Sequence, residues 1–289
     1  MIFLSRHPIV LALVLLLSGA AITVALALRP LQAHVVDAPP ERIDGALLAR
    51  ALGERPLRIG VPWLPPPDTP DMRLYVEEGF ELDLAAEIAG RFGVEHRLVR
   101  IAPGDAARAL ASAEVDLVLT RTAEDDPLRQ ATLIVETGYQ SGQSLATRSD
   151  RPLTSWDALK GQTVCVSQAN GQGRELAERL GARVTSVRAP APALMQMRTG
   201  DCVAALHDSA LLEPLLAKAS WQKFSATLPP VESTALVVAV APAHARLAEA
   251  VGRILATAAA PPRWRQRAEK WASTVSFEVY RDQVAADCH

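Results

Sequence analysis

Two periods alternate along most of this chain. Short β-rich runs at Leu57 to Val61, His96 to Ile101, Val115 to Thr120, Thr163 to Ser167 and Cys202 to Leu206 are separated by stretches whose apolar residues recur at helical spacing. Leu84, Ile88 and Phe92 fall every four residues, so they share one face of a helix that packs on its neighbours. Asp105 to Ala113, Arg174 to Leu180, Ala191 to Arg198, Ser209 to Ala217, Ala248 to Ala258 and Arg263 to Trp271 read as further helices. Strands alternating with helices predict an α/β protein built on mostly parallel sheets. The first strand runs into Pro62, Pro65, Pro66, Pro67 and Pro70, none of which can donate to a ladder, so it empties into a loop carrying Trp63.

One stretch departs from the alternation. From Thr120 to Asp150 an acidic, proline-marked turn leads to Arg129, then come the apolar run Leu133, Ile134 and Val135, then Tyr139 and Gly142, and then an extended piece from Gln143 to Thr147. A second extended passage, Thr234 to Val240, returns near the end of the chain. Two such crossings predict a two-strand hinge between two lobes. Lobe 1 is then discontinuous, residues 55–142 plus 236–275, and lobe 2 is 143–235; residues 276–289 are left as a C-terminal tail.

The N-terminus reads differently. Arg6 and His7 precede an apolar run from Ile9 to Leu28, about 20 residues, which as a helix is about 30 Å long and spans a bilayer. Residues 1–34 are therefore an export signal, cleaved after the small residues around Ala25 and Ala27, or a retained anchor in the inner membrane. Cleavage to a soluble periplasmic form is the favoured expectation. Residues 35–54 read as a linker with a weak helix at Leu47 to Leu52.

Composition narrows the function. At 289 residues, 49% hydrophobic and 21% charged, the chain buries a sizeable core. A net charge of −2 without a basic stripe excludes a nucleic-acid binder. No zinc-ligand spacing, phosphate loop or nucleophile elbow occurs, so no metal and no cofactor is expected. The loop Asn170-Gly171-Gln172-Gly173, between a strand and a helix, offers backbone N–H groups to an anion, although a glycine pair at a helix start is also an ordinary turn.

The pattern Gly79-Phe80-Glu81-Leu82-Asp83-Leu84-Ala85, the spacing from Arg129 to Tyr139-Gln140-Ser141-Gly142-Gln143 and the closing Lys270-Trp271 resemble bacterial extracellular solute-binding proteins of family 3, which serve amino-acid ABC importers. The resemblance covers residues of about 55 to 275. It implies a type II periplasmic-binding-protein fold, a monomer that closes on a small polar solute such as an amino acid, and an ABC permease as partner. It places a ligand carboxylate on Arg129, whose fork suits it bidentately, and a ligand amino group on Asp208. Trp63, Thr120, Thr122, Asn170 and Gly171 complete the expected ligand set. Each has a plainer reading: Arg129 paired with Asp125 or Asp126, Asp208 as a helix N-cap, Trp63 covering a lobe edge. Relatives with Val-Cys-Val and Gly-x-Cys segments also imply a Cys165–Cys202 disulfide, with two buried thiols as the alternative and Cys288 unpaired. Two departures stand out: the turn before Arg129 is about one residue longer than in the family, and the aromatic-Pro-Pro-aromatic stretch after the first strand keeps only Trp63. An enzyme like the cyclohexadienyl dehydratases, with Glu175 or His207 as general acid, and a membrane-tethered sensor or accessory module are the alternatives.

Overall fold

The computed structural model describes residues 55–67 and 73–283. The expected export segment, the linker and its weak helix, and Cys288 lie outside the described residues. Among the described residues, no helix is long and apolar enough to cross a membrane.

Eight strands form one curled sheet in the order β2-β1-β3-β8-β4-β7-β5-β6. β1 (Leu57–Val61) pairs in parallel with β2 (His96–Arg100) and with β3 (Leu117–Thr122). At the other end β5 (Thr163–Ser167) pairs in parallel with β6 (Arg183–Val187) and with β7 (Ala204–Asp208). These two parallel halves are the two lobes, and an antiparallel pair joins them: β4 (Leu133–Thr147) and β8 (Val231–Val240). β4 leans on β8 through its first half and on β7 from Gln143 to Thr147. The apolar run from Leu133 to Val135 and the extended piece from Gln143 to Thr147 are thus parts of one 15-residue strand. Its register shifts between Glu136 and Gln140 and again between Ser141 and Gln143. A Cβ on Gly142 would stand 2.8 Å from the Val231 carbonyl oxygen, so only glycine lets the strands approach at that crossing.

Helices cover the sheet: α1 (Glu81–Phe92), α2 (Ala106–Ala111), α3 (Leu128–Ala131), α4 (Gly171–Arg179), α5 (Pro190–Thr199), α6 (Ser209–Leu216), α7 (Ala245–Ala258) and α8 (Pro261–Asp282). α1 buries Leu84, Ile88 and Phe92, the face that the four-residue spacing selects. Cys165 of β5 and Cys202, just before β7, form a disulfide, their Cα atoms 5.8 Å apart.

β6 and α8 depart furthest from expectation. β6 is absent from the sequence reading because it lies at the sheet edge, and such a strand needs no continuous apolar run. α8 runs to Asp282, well past Trp271 and into the expected tail. Its apolar face continues through Ala272, Val275 and Val279. The helix also ties the halves together. Trp264 stacks on Phe80 and Tyr139 with ring centroids 5.5 and 5.1 Å away, and Trp271 Nε1 donates to the Glu77 carbonyl at 2.9 Å. On the other side Trp221, fully buried, donates from Nε1 to Ser276 Oγ at 3.0 Å.

Candidate functional site

Between the halves lies a cavity of about 900 Å³ whose walls come from both. From the first half, the loop after β1 brings Trp63, β3 brings Thr120 and Arg121, and the segment entering α1 brings Glu77, Glu78 and Glu81. From the second half come Asn170 and Gly171 at the start of α4, and Asp208 at the end of β7. Gln143 of the crossing strand β4 lies on the floor.

The start of α4 is built by Asn170. Its side-chain oxygen accepts from Gly173 N at 2.8 Å, the capping bond expected of an Asn at that position. Its amide donates to Gln143 Oε1 at 2.9 Å and to the Leu206 carbonyl at 3.3 Å. A Cβ at Gly173 would meet the Asn170 amide at 2.5 Å, so the packing needs glycine there. The glycine pair is therefore more than a turn: it lets Asn170 lock α4 to the floor of the cavity.

Asp208 is the electrostatic centre. Its carboxylate accepts from Tyr139 Oη at 3.1 Å, from Gln143 Nε2 at 3.3 Å and from Arg121 Nη2. All three partners stand as donors, the arrangement that suits an ionised carboxylate. Burial raises its pKa above the ordinary aspartate value, against the pull of Arg121, Tyr139 and Gln143. Burial also opposes the charge of Arg121, yet Asp208, then Tyr139 and Glu81, hold its pKa above the usual guanidinium value. The Arg121 guanidinium lies 5.0 Å from the centroid of the Tyr139 ring. Although Asp208 is the residue before α6, its side chain makes no capping bond, so the plain N-cap reading does not describe it.

Beside this pair lies a second buried acid. Glu78 accepts from Ser167 Oγ, a contact between the halves, and burial pushes its carboxyl well above the ordinary glutamate range. Its Oε1 is 3.1 Å from His207 Nε2, and neither atom has a well-aligned hydrogen bond. His207 Nδ1 accepts from Asp208 N at 2.7 Å, which fixes the remaining ring proton on Nε2. Burial first, and then Arg121, drive the imidazole down to about 3, so His207 is neutral. Glu175 is exposed on α4 at the mouth of the cavity.

Five of the seven ligand residues expected from sequence line the cavity: Trp63, Thr120, Asn170, Gly171 and Asp208. Trp63 donates from Nε1 to Glu77 Oε2 at 3.3 Å, and Arg100 sits 5.8 Å from the centroid of its ring. Thr122 and Arg129 are placed elsewhere. Thr122 is buried away from the cavity with its hydroxyl unpartnered. Arg129 donates from Nε to the Ala123 carbonyl at 2.8 Å and from Nη1 to Glu136 at 2.6 Å, so its partner is neither Asp125 nor Asp126. Arg121 is the arginine at the centre. A charge inside the strand run Leu117 to Thr122 was the available signal for it. Glu78, Glu81 and Gln143 were also missed.

Residues 65–274 match the family model for bacterial extracellular solute-binding proteins, family 3. No curated protein matches the chain by sequence. Among solved structures, a mutant of ArgBP from T. maritima is 22% identical, with 79% of this chain and 99% of that one covered and a TM-score of 0.51. An ancestral cationic amino acid solute binding protein is 18% identical over 78% of this chain and 99% of its own, TM-score 0.53. AbpA from Streptococcus pneumoniae, an amino acid ABC transporter substrate-binding protein bound to L-arginine, is 15% identical over 78% and 98%, TM-score 0.52. At these identities the likeness is one of fold.

Proposed function

Because the chain belongs to the bacterial extracellular solute-binding proteins, family 3, we propose that it captures an amino acid or a closely related polar solute and delivers it to an ABC permease. The observation that carries this reading is the cavity itself, polar at its centre and walled by both halves of the sheet. In this reading lobe 1 is residues 55–142 plus 236–275, lobe 2 is 143–235, and they close about the β4 and β8 crossing as a monomer in the periplasm.

The lining bears six carboxylates, on Glu77, Glu78, Glu81, Asp126, Glu175 and Asp208, against three guanidinium groups, on Arg100, Arg121 and Arg174. That excess favours a solute with a cationic group, and cationic amino acids are what the similar structures named above bind. Arg121 takes the carboxylate-gripping role that spacing gave to Arg129, with Thr120, Asn170 and Gly171 beside it and Trp63 against the solute's side chain. The cavity reads as a binding site rather than an active site. His207 is held neutral by burial with its Nδ1 engaged, and Glu175 is exposed, so neither is set as a general acid.

A thermal-shift screen against amino acids, polyamines and organic acids tests the reading, since a ligand of the native state raises the melting temperature by mass action. L-lysine or L-arginine should give the largest shift. A shift with organic acids alone would overturn the amino-acid class, and conversion of the added compound would restore the enzyme alternative.

A further inference from the structure

The Asp208 carboxylate is already engaged by three donors. One of its oxygens takes Tyr139 and Arg121, the other takes Gln143, and its side chain is 6% exposed. Arg121, by contrast, keeps donors in hand. Its Nη2 reaches Asp208, its Nη1 lies 3.5 Å from Thr234 Oγ1, and its Nε is 3.7 Å from Glu81 Oε1, beyond a hydrogen bond. A guanidinium has five N–H donors, more than these contacts use, and Arg121 lines the cavity. The centre of the site thus offers donors at Arg121, while Asp208 already carries a cation. β3 and β7 are separated in the sheet by β8 and β4, so this contact also bridges the two halves.

We infer that Arg121 is a tethered cation, supplied by the chain itself, which fills the place at Asp208 that a solute ammonium would take and holds the halves together in the empty protein. Asp208 then acts as a positioning residue for Arg121. The solute's carboxylate meets Arg121, any cationic group it bears is met by Glu77 and Glu81 on the rim, and an α-ammonium contributes little to affinity. This rests on the amino-acid reading above, so the test has one arm that needs no ligand.

Calorimetry on the full chain compares L-lysine with 6-aminohexanoate, the same molecule without its α-ammonium. Wild type should bind the two within about threefold of each other. Arg121→Ala frees Asp208 and should prefer L-lysine by at least about tenfold, the size of one charge-assisted hydrogen bond. Arg121→Lys keeps a cation beside Asp208 and should keep the wild-type ratio between the two probes, although its affinity for both falls with the loss of the fork. A tenfold preference for L-lysine in wild type, or none in Arg121→Ala, overturns the inference. Where wild type binds neither probe, the amino-acid reading has failed and solution scattering of the empty proteins decides. A larger radius of gyration for Arg121→Ala than for wild type supports the tethered cation, and equal radii overturn it. If Arg121→Ala does not fold, Arg121→Gln, which keeps the length and loses the charge, replaces it in both arms.

Discussion

Asp116 and Asp208 are both bound by arginines, and they behave in opposite ways. Asp116, just before β3, accepts from Arg55 at 2.7 and 2.8 Å, from Arg58 N at 2.9 Å and from Arg58 Nη2 at 3.0 Å. Burial alone would raise its carboxyl, but these donors outweigh burial and hold it at about 2. Asp208 also has several donors, one of them an arginine, yet its pKa is raised because burial wins. The partner decides the contrast: the side chain of Arg55 is 41% exposed and that of Arg121 14%. A half-solvated pair is a clamp between the neighbouring strands β1 and β3, whereas a buried pair sets its attraction against the desolvation of both ions. The clamp has a structural explanation; the buried pair calls for a functional one.

The sharpest way to break the comparison is to remove one partner at each site. Asp208→Ala leaves the Arg121 charge buried and uncompensated, which should cost about 3–5 kcal/mol in chemical denaturation. The double variant Arg121→Ala/Asp208→Ala should be less destabilised than Asp208→Ala alone, because the stranded charge is gone. A single-variant cost below about 1 kcal/mol would mean that solvent reaches Arg121 and that the contrast is not one of burial.

Asp116→Asn should cost less, about 1 kcal/mol at neutral pH, the linkage value being discounted for the exposure of Arg55. Its pH dependence carries a definite sign. The folded pKa of about 2 lies below the ordinary 3.8, so the contribution of Asp116 is present above about pH 4 and is lost as pH falls through about 2. Asp208, with its folded pKa raised, works the other way: stability that is full below pH 3.8 declines as pH rises past it. Acid titrations of Asp116→Asn and wild type should therefore converge toward pH 2. Parallel curves would show that the clamp is not electrostatic.

Much of this architecture was legible because each segment satisfies its own local rule. Leu84, Ile88 and Phe92 mark α1 by period, and Thr163–Ser167 is recovered with its bounds unchanged. The limits of α8 were not legible, since Ser273, Thr274 and Ser276 interrupt the run after Trp271, while the residues that bury the helix there, Val275 and Val279, follow the helical period only once its partners are known. In the site, backbone position was readable and side-chain direction was not. Asn170, Gly171 and Asp208 sit where strand and helix ends must meet, and the chain's own order puts them there. Arg129 lies on α3, a helix of four residues, after a turn with one extra residue. Each added residue rotates a helical side chain by about 100°, enough to carry it from the cavity wall to the outer face. Arg121 took the opposite course, reaching the centre from a strand whose neighbours are buried.

The smallest effect expected belongs to Arg129, and it tests that rotation. Its two bonds go to a backbone carbonyl and to Glu136, whose side chain is 55% exposed. An exposed ion pair is worth about 0.2–1 kcal/mol and a neutral hydrogen bond about as much, so Arg129→Ala should lose about 1 kcal/mol. L-lysine affinity by calorimetry should stay within about threefold of wild type, since nothing in the cavity leans on this side chain. Glu136→Gln should reproduce most of the stability loss, because it removes the same pair from the other side. If Arg129→Ala instead keeps its stability and loses about a hundredfold in affinity, the guanidinium leaves Glu136 when solute arrives, and the arginine picked out by spacing would be the one that grips the carboxylate, with Arg121 left only to hold Asp208.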